Sequence, residues 1–211
     1  MQSKIINFNR EGTPLFNSLK AICQKKIFSF HALPISSFGH SDILPCCGKE
    51  EVFLETTIAD EAFDNFFFPK GVISESQNLT AQLYNADHSF YITGGTSVAN
   101  QIAISALYNK GDDILIDKNC HQSVHFHSQA LGANVDYLCP DLTAEDAQLK
   151  AWSIEKLTKK ILHKQSKGER YDLIILTAQS YEGLIYDIPF VLLHLLRAGI
   201  STRKFFIDEA W

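Results

Sequence analysis

The sequence lacks the features that mark membrane, secreted and nucleic-acid-binding chains. Its most apolar helical stretch, Pro189 to Ile200, carries His194 and Arg197 and falls well short of the roughly 20 apolar residues that span a bilayer. The opening Met1 to Pro14 has no apolar core of the kind a secretory signal needs. Five cysteines make an odd set, with Cys46 and Cys47 adjacent and no second closely spaced pair. Such a set reads as reduced thiols, not as a disulfide framework. Basic residues form no stripe: the net charge is -5, and Lys25-Lys26 and Lys159-Lys160 are isolated pairs. That balance argues against a nucleic-acid partner. The expectation is a soluble, cytoplasmic domain with no membrane or nucleic-acid partner.

What is present is ordinary globular composition, 45% hydrophobic and 20% charged over 211 residues, enough for one sizeable domain or two small ones. From residue 89 onward the pattern is regular. Short apolar runs at 89–93, 113–117, 134–138, 172–177 and 204–208 predict five strands. Between them, apolar residues at helical spacing predict helices: Val98 to Ala106, Cys120 to Ala130, Ile154 to Lys164 and Pro189 to Ala198. Continuous apolar strands alternating with helices indicate an α/β fold, a mostly parallel sheet covered on both faces. The first 88 residues are less legible. Phe16 to Phe28 predicts a helix, Pro34 to Gly48 is loop-rich, and Phe63 to Phe68 is an aromatic cluster expected to pack. A soft boundary near residue 30 divides a lead-in (1–30) from a larger domain (31–211).

In an open parallel sheet, ligands collect at the carboxyl ends of the strands. That rule selects Gly94 to Ser97, Asn119 to His121, Thr177 to Gly183 and Asp208 to Trp211. At the first, two glycines let the chain turn and Thr96-Ser97 open a helix. Free N–H groups there can cradle an anion, although either hydroxyl could equally cap the helix. At the last, Asp208 closes the apolar run Phe205 to Ile207, and a carboxylate at that depth needs a partner. A cationic ring nitrogen would serve, and so would a capping role.

His121, His125 and His127 cluster after Asp117. If His121 lay on the helix it would share a face with His125, so a metal pair enters consideration. No HExxH pattern or cysteine pair completes a ligand set, and no metal is expected. Gly94-Gly95 with Asp117 about twenty residues on imitates the dinucleotide fingerprint but lacks its third glycine.

Four segments together, Thr93-Gly-Gly-Thr-Ser-Val-Ala-Asn-Gln101, Asp117-Lys-Asn-Cys-His-Gln-Ser123, Thr177-Ala-Gln-Ser-Tyr-Glu-Gly183 and Asp208-Glu-Ala-Trp211, resemble the bacterial ornithine/lysine/arginine decarboxylases. That family has the aspartate-aminotransferase-like fold (fold type I) and depends on pyridoxal 5'-phosphate (PLP). The likeness runs from about Phe30 to Trp211. It implies that Thr96 and Ser97 hold the cofactor phosphate, that His121 stacks on the ring and that Asp208 pairs with the pyridine nitrogen. It also implies that Ala210 lies against the ring, that Trp211 walls the site and that Thr177 to Tyr181 border it. Phe30 to Pro34 and Glu55 to Gly71 resemble the family's lead-in to its large domain. The implied substrate is a basic amino acid (lysine, arginine or ornithine), released as carbon dioxide and a diamine or agmatine. A homodimer or higher homo-oligomer is implied as well.

The chain departs from the family at Ala178 or Gln179, where another residue is usual. The family's Schiff-base lysine sits on a later strand in a Ser-x-His-Lys sequence, and no lysine here matches it. The segment by itself is therefore expected to be inactive. Two family strands would lie between 204–208 and 89–93, so the sheet is expected to be incomplete at its C-terminal end, with an open edge and low stability. Another fold-type-I enzyme (an aminotransferase or lyase), a nucleotide-binding module and a non-catalytic remnant are the competing readings.

Overall fold

The computed structural model describes residues 12–23, 64–140, 151–200 and 204–210. The expected lead-in features at Phe30 to Pro34, the boundary near residue 30, and Trp211 lie outside the described residues. The chain divides into two compact units, Met1–Tyr91 and Ile92–Trp211.

In the first unit α1 (Pro14–Cys23) packs on α2 (Val72–Tyr84). Proline suits the first turn of α1, where its missing N–H would have no partner in the helix. The turn before α2 is tied by Asp64, whose carboxylate accepts backbone N–H groups from Asn65, Lys70 and Gly71. Those bonds, the one from Lys70 foremost, hold its carboxyl below the ordinary value. The aromatic run that the sequence led us to expect as packed is only partly so. Phe66 meets Phe67 edge-on at 5.7 Å, yet Phe67 and Phe68 are exposed.

The expected strand at 89–93 does not form. Tyr91 instead places its hydroxyl between Ser76 Oγ (2.7 Å) and Thr80 Oγ1 (2.8 Å), one turn apart on α2. This stretch is held by a side chain on a helix, not by a ladder of backbone hydrogen bonds.

The second unit follows the predicted order: α3 (Gly95–Leu107), β1 (Asp113–Asp117), α4 (Gln122–Ala130), β2 (Asn134–Leu138), α5 (Ile154–Gln165), β3 (Leu173–Thr177), α6 (Ile188–Arg197) and β4 (Lys204–Asp208). The four strands form one parallel sheet in the order β2-β1-β3-β4. Period-two alternation sorts their side chains into two cores. Ile114, Ile116, Leu173 and Ile175 face Ile104 of α3 and Val124 of α4. Leu115, Ile174 and Leu176 face Leu157 and Ile161 of α5 and Val191 and Leu195 of α6. The result is the expected three-layer αβα arrangement. β3 is buried at every position, as a central strand covered on both faces must be. β2 alternates exposed and inward residues, as an edge strand does. β4 has a sheet neighbour on one side only.

From β1 the chain moves to one side of the sheet, and from β3 to the other. β1 and β3 are adjacent, so the direction of winding reverses between them. A crevice opens beyond their carboxyl ends at such a reversal. Among the described residues no helix is long and apolar enough to cross a membrane.

Candidate active site

A cleft of about 470 Å³ occupies that crevice, lined by Thr96, Ser97, Asn119, His121, Thr177, Gln179, Tyr181, Asp208 and Ala210. All four segments selected from the sequence reach it. Of the six residues expected to bind a cofactor, Thr96, Ser97, His121, Asp208 and Ala210 share its wall.

The turn into α3 explains its two glycines. A Cβ on Gly94 would come within 2.8 Å of Val98 Cγ2, and Gly95 adopts φ +79°, where L side chains are strained. α4, α5 and α6 each begin with a side-chain cap, from His121, Ser153 and Asp187. α3 has none. Thr96 and Ser97, in its first turn, line the cleft, where a helix N-terminus can receive an anion.

The turn after β1 is organised by Asp117, which is fully buried. Its carboxylate accepts the N–H of Asn119 at 2.9 Å and the indole N–H of Trp152 at 2.9 Å. Burial pushes this carboxyl up, against the opposing pull of those two donors. His121 does not lie on the helix as the sequence suggested. It is the N-cap of α4, and its Nδ1 accepts the backbone N–H of Ser123 at 3.2 Å. An accepting Nδ1 leaves the ring proton on Nε2. His125 turns elsewhere, with Nε2 3.1 Å from the carbonyl of Cys120. The two rings thus share no helix face, and among the described residues no group of three or more His, Cys, Asp or Glu side chains could hold a metal.

After β3 the chain makes a small loop closed by the Gln179–Ile185 bridge and by Tyr186 N–H donating to Ala178 carbonyl. Ala178 is buried, and its N–H donates to the Asp208 carbonyl. Thr177 Oγ1 donates to Cys120 Sγ at 3.2 Å, joining the ends of β3 and β1. Burial pushes the Cys120 thiol far up, which disfavours the thiolate form.

Asp208 is 7% exposed at the end of β4. Its Oδ1 accepts the N–H of Ala210 (3.1 Å), and its Oδ2 accepts the amide of Asn100 (3.0 Å). Among the described residues no cation pairs with it. Asn100 and Ser123 were assigned no role from the sequence. The signal was available: Asn100 is a polar residue in the stripe of α3 that also buries Ile104 against the sheet.

Residues 44–211 match the family described as Orn/Lys/Arg decarboxylase, major domain. Among curated proteins, the chain is 29% identical over 206 residues to the uncharacterized protein YaaO of Bacillus subtilis, covering 94% of this chain and 40% of that one. It is 28% identical over 148 residues to the lysine decarboxylase LdcA of Pseudomonas aeruginosa, covering 67% of this chain and 19% of that one. The chain thus spans well under half the length of these relatives. The solved lysine decarboxylase LdcF of Francisella novicida superposes with a TM-score of 0.69 at 20% identity, over 94% of this chain and 29% of that one. At that identity the likeness establishes the fold. The matched residues cover most of the chain and include every strand end that lines the cleft, and the chain belongs to the Orn/Lys/Arg decarboxylase major-domain family.

Proposed function

We propose that this chain is the cofactor-binding part of a PLP-dependent decarboxylase acting on lysine, arginine or ornithine. The observation that carries the reading is Asp208: a buried carboxylate held, among the described residues, by neutral donors, in the same cleft as a helix N-terminus whose N-cap is a glycine with no side chain to cap it. A ligand that suits both ends is anionic at one and carries a protonated ring nitrogen at the other. PLP has that form. When bound, it supplies an electron-withdrawing ring that takes up the electron pair left as the substrate carboxylate departs as carbon dioxide.

The protein's own contributions in this reading combine the lining of the cleft with the roles that the family resemblance implies. Thr96, Ser97 and the first-turn N–H groups of α3 would hold the phosphate. Asp208 would accept a hydrogen bond from the protonated ring nitrogen. His121, exposed to the cleft and fixed through Nδ1, presents its ring face for stacking. Ala210 would leave room against the ring; the wall role that the family resemblance implies for Trp211 falls outside the described residues. None of the cleft-lining residues is a lysine, so in this reading the covalent attachment comes from a lysine outside that lining, as the family resemblance, with its Schiff-base lysine on a later strand, implies. The basic substrate follows the family description and the names of the relatives. The whole protein is taken to act in the cytoplasm as a homodimer or higher homo-oligomer.

The test is to supply the whole protein with PLP and each of the three amino acids, and to measure carbon dioxide and amine products. Release of carbon dioxide with a diamine or agmatine is expected. Keto-acid formation without carbon dioxide would overturn the reading in favour of an aminotransferase.

A further inference from the structure

The groups assigned above to PLP, Asp208 and His121, come from different strand ends, β4 and β1. One side chain of a third element connects them. Asn100 is 3% exposed, and its Nδ2 lies 3.0 Å from Asp208 Oδ2 and 3.2 Å from Ser123 Oγ. Ser123 Oγ in turn lies 2.9 Å from His121 Nδ1.

The chemistry of the partners orders these bonds. The Asp208 carboxylate can only accept, so the Asn100 amide must present nitrogen to it. That nitrogen has two hydrogens, and the second is spent on Ser123 Oγ. The Ser123 hydroxyl, already accepting from Asn100, turns its own proton toward His121 Nδ1, which its backbone N–H independently marks as an acceptor. Flipping the amide would set oxygen against a carboxylate in a buried site, a costly arrangement.

Asn100 is also uncharged. A lysine or arginine there would have neutralised Asp208, whereas an amide orients the carboxylate and leaves its charge for a ligand. The same helix carries the anion cradle, with Ser97 and Asn100 separated by about 4.5 Å of helical rise.

We propose that Asn100 is a positioning residue of this site: its amide nitrogen fixes the Asp208 carboxylate and, through Ser123, the His121 ring. This rests on the reading of Asp208 as the partner of the pyridine nitrogen. Asn100 touches neither ring nor substrate, and acts by holding the groups that do.

The probe is a pair of cofactors, PLP and its 1-deaza analogue, in which carbon replaces the ring nitrogen. Their equilibrium affinities are compared in the whole protein without substrate, by fluorescence titration. The wild-type protein should favour PLP. Asn100→Ala should shrink that preference by on the order of tenfold, with PLP binding weakened through both Asp208 and His121 and analogue binding weakened less, through His121 alone. Loss of both affinities in equal proportion would mean a merely structural role and would overturn the proposal, as would an unchanged preference. Asn100→Leu, which keeps the branched side-chain shape and removes both donors, carries the same comparison if the alanine variant fails to melt cooperatively. A wild-type protein that does not distinguish the two cofactors would sink the reading of Asp208, and the Asn100 inference with it. A wild-type preference that survives both substitutions would overturn the Asn100 inference alone.

Discussion

The indole of Trp152 lies flat on the ring of Tyr186, with centroids 4.1 Å apart and planes 10° from parallel. The pair is also joined through polar atoms: the backbone N–H of Trp152 donates to Tyr186 Oη at 3.0 Å. Its Nε1 continues the connection to Asp117. The stack thus ties the start of α5 and the loop after β3 to the turn that delivers Asn119 and His121 to the cleft.

Trp152→Phe should keep most of the stacking and lose the N–H donated to Asp117. Stripping one donor from a buried acceptor costs roughly 1–3 kcal/mol, measurable by urea denaturation. The loss should depend on pH. Burial raises the Asp117 carboxyl, so its folded form holds a proton more tightly than the unfolded chain, whose ordinary value is 3.8. The stability linked to it is fully present below that value and is lost as pH rises through the folded value. Removing a donor that favours the ionised form raises the folded value further. The decline from acid to neutral pH should therefore be steeper in the variant; parallel pH profiles would contradict this account.

Lys160 on α5 reaches Asp136 on β2 at 2.8 Å, and the Tyr171 hydroxyl donates to the same carboxylate at 2.5 Å. Burial raises this carboxyl, but Lys160 and Tyr171 together outweigh it and hold the group below its ordinary value. A lowered carboxyl contributes stability above the unfolded value of 3.8 and loses it as pH falls through the folded one. Lys160→Met should lower the melting temperature near neutral pH, by less than about 1 kcal/mol of stability because the pair is half open to solvent. The difference from wild type should narrow as pH drops below the ordinary carboxylate range. A difference that persists there would point to lost packing of the lysine stem.

Gly94→Ala should strain the turn into α3, since the new methyl meets Val98 Cγ2 at 2.8 Å. Overpacking of this kind costs roughly 1–3 kcal/mol. Val98→Ala removes the obstructing methyls, so the double variant should regain much of the lost stability in thermal melts. Additive losses would show that the glycine is required by the backbone and not by the contact.

The layered architecture of the second unit was legible because two periodicities coincide in it. Leu173 to Thr177 is apolar throughout, which only a strand buried on both faces tolerates. Val191 and Leu195 recur at helical spacing on the buried face of α6. The strand-end rule and the family resemblance together pointed to Thr96, Ser97, His121, Asp208 and Ala210, and all five line the cleft, although the strand expected before Thr96 does not form. The strand expected at 89–93 failed for a tertiary reason: β propensity cannot make a strand without a backbone partner, and Tyr91 found its hydrogen bonds on Ser76 and Thr80 instead.

The sequence by itself determined the order of elements, the faces they bury and the segments that end at the crevice, because these follow from side-chain periodicity and turn chemistry within a few residues. Only the tertiary structure decided that Asn100 meets Asp208, 108 positions away along the chain, and that Trp152 caps Asp117 across 35. Such pairs leave no periodic trace: they depend on which strand neighbours which, and the order β2-β1-β3-β4 is set by the packing of whole helices on the sheet.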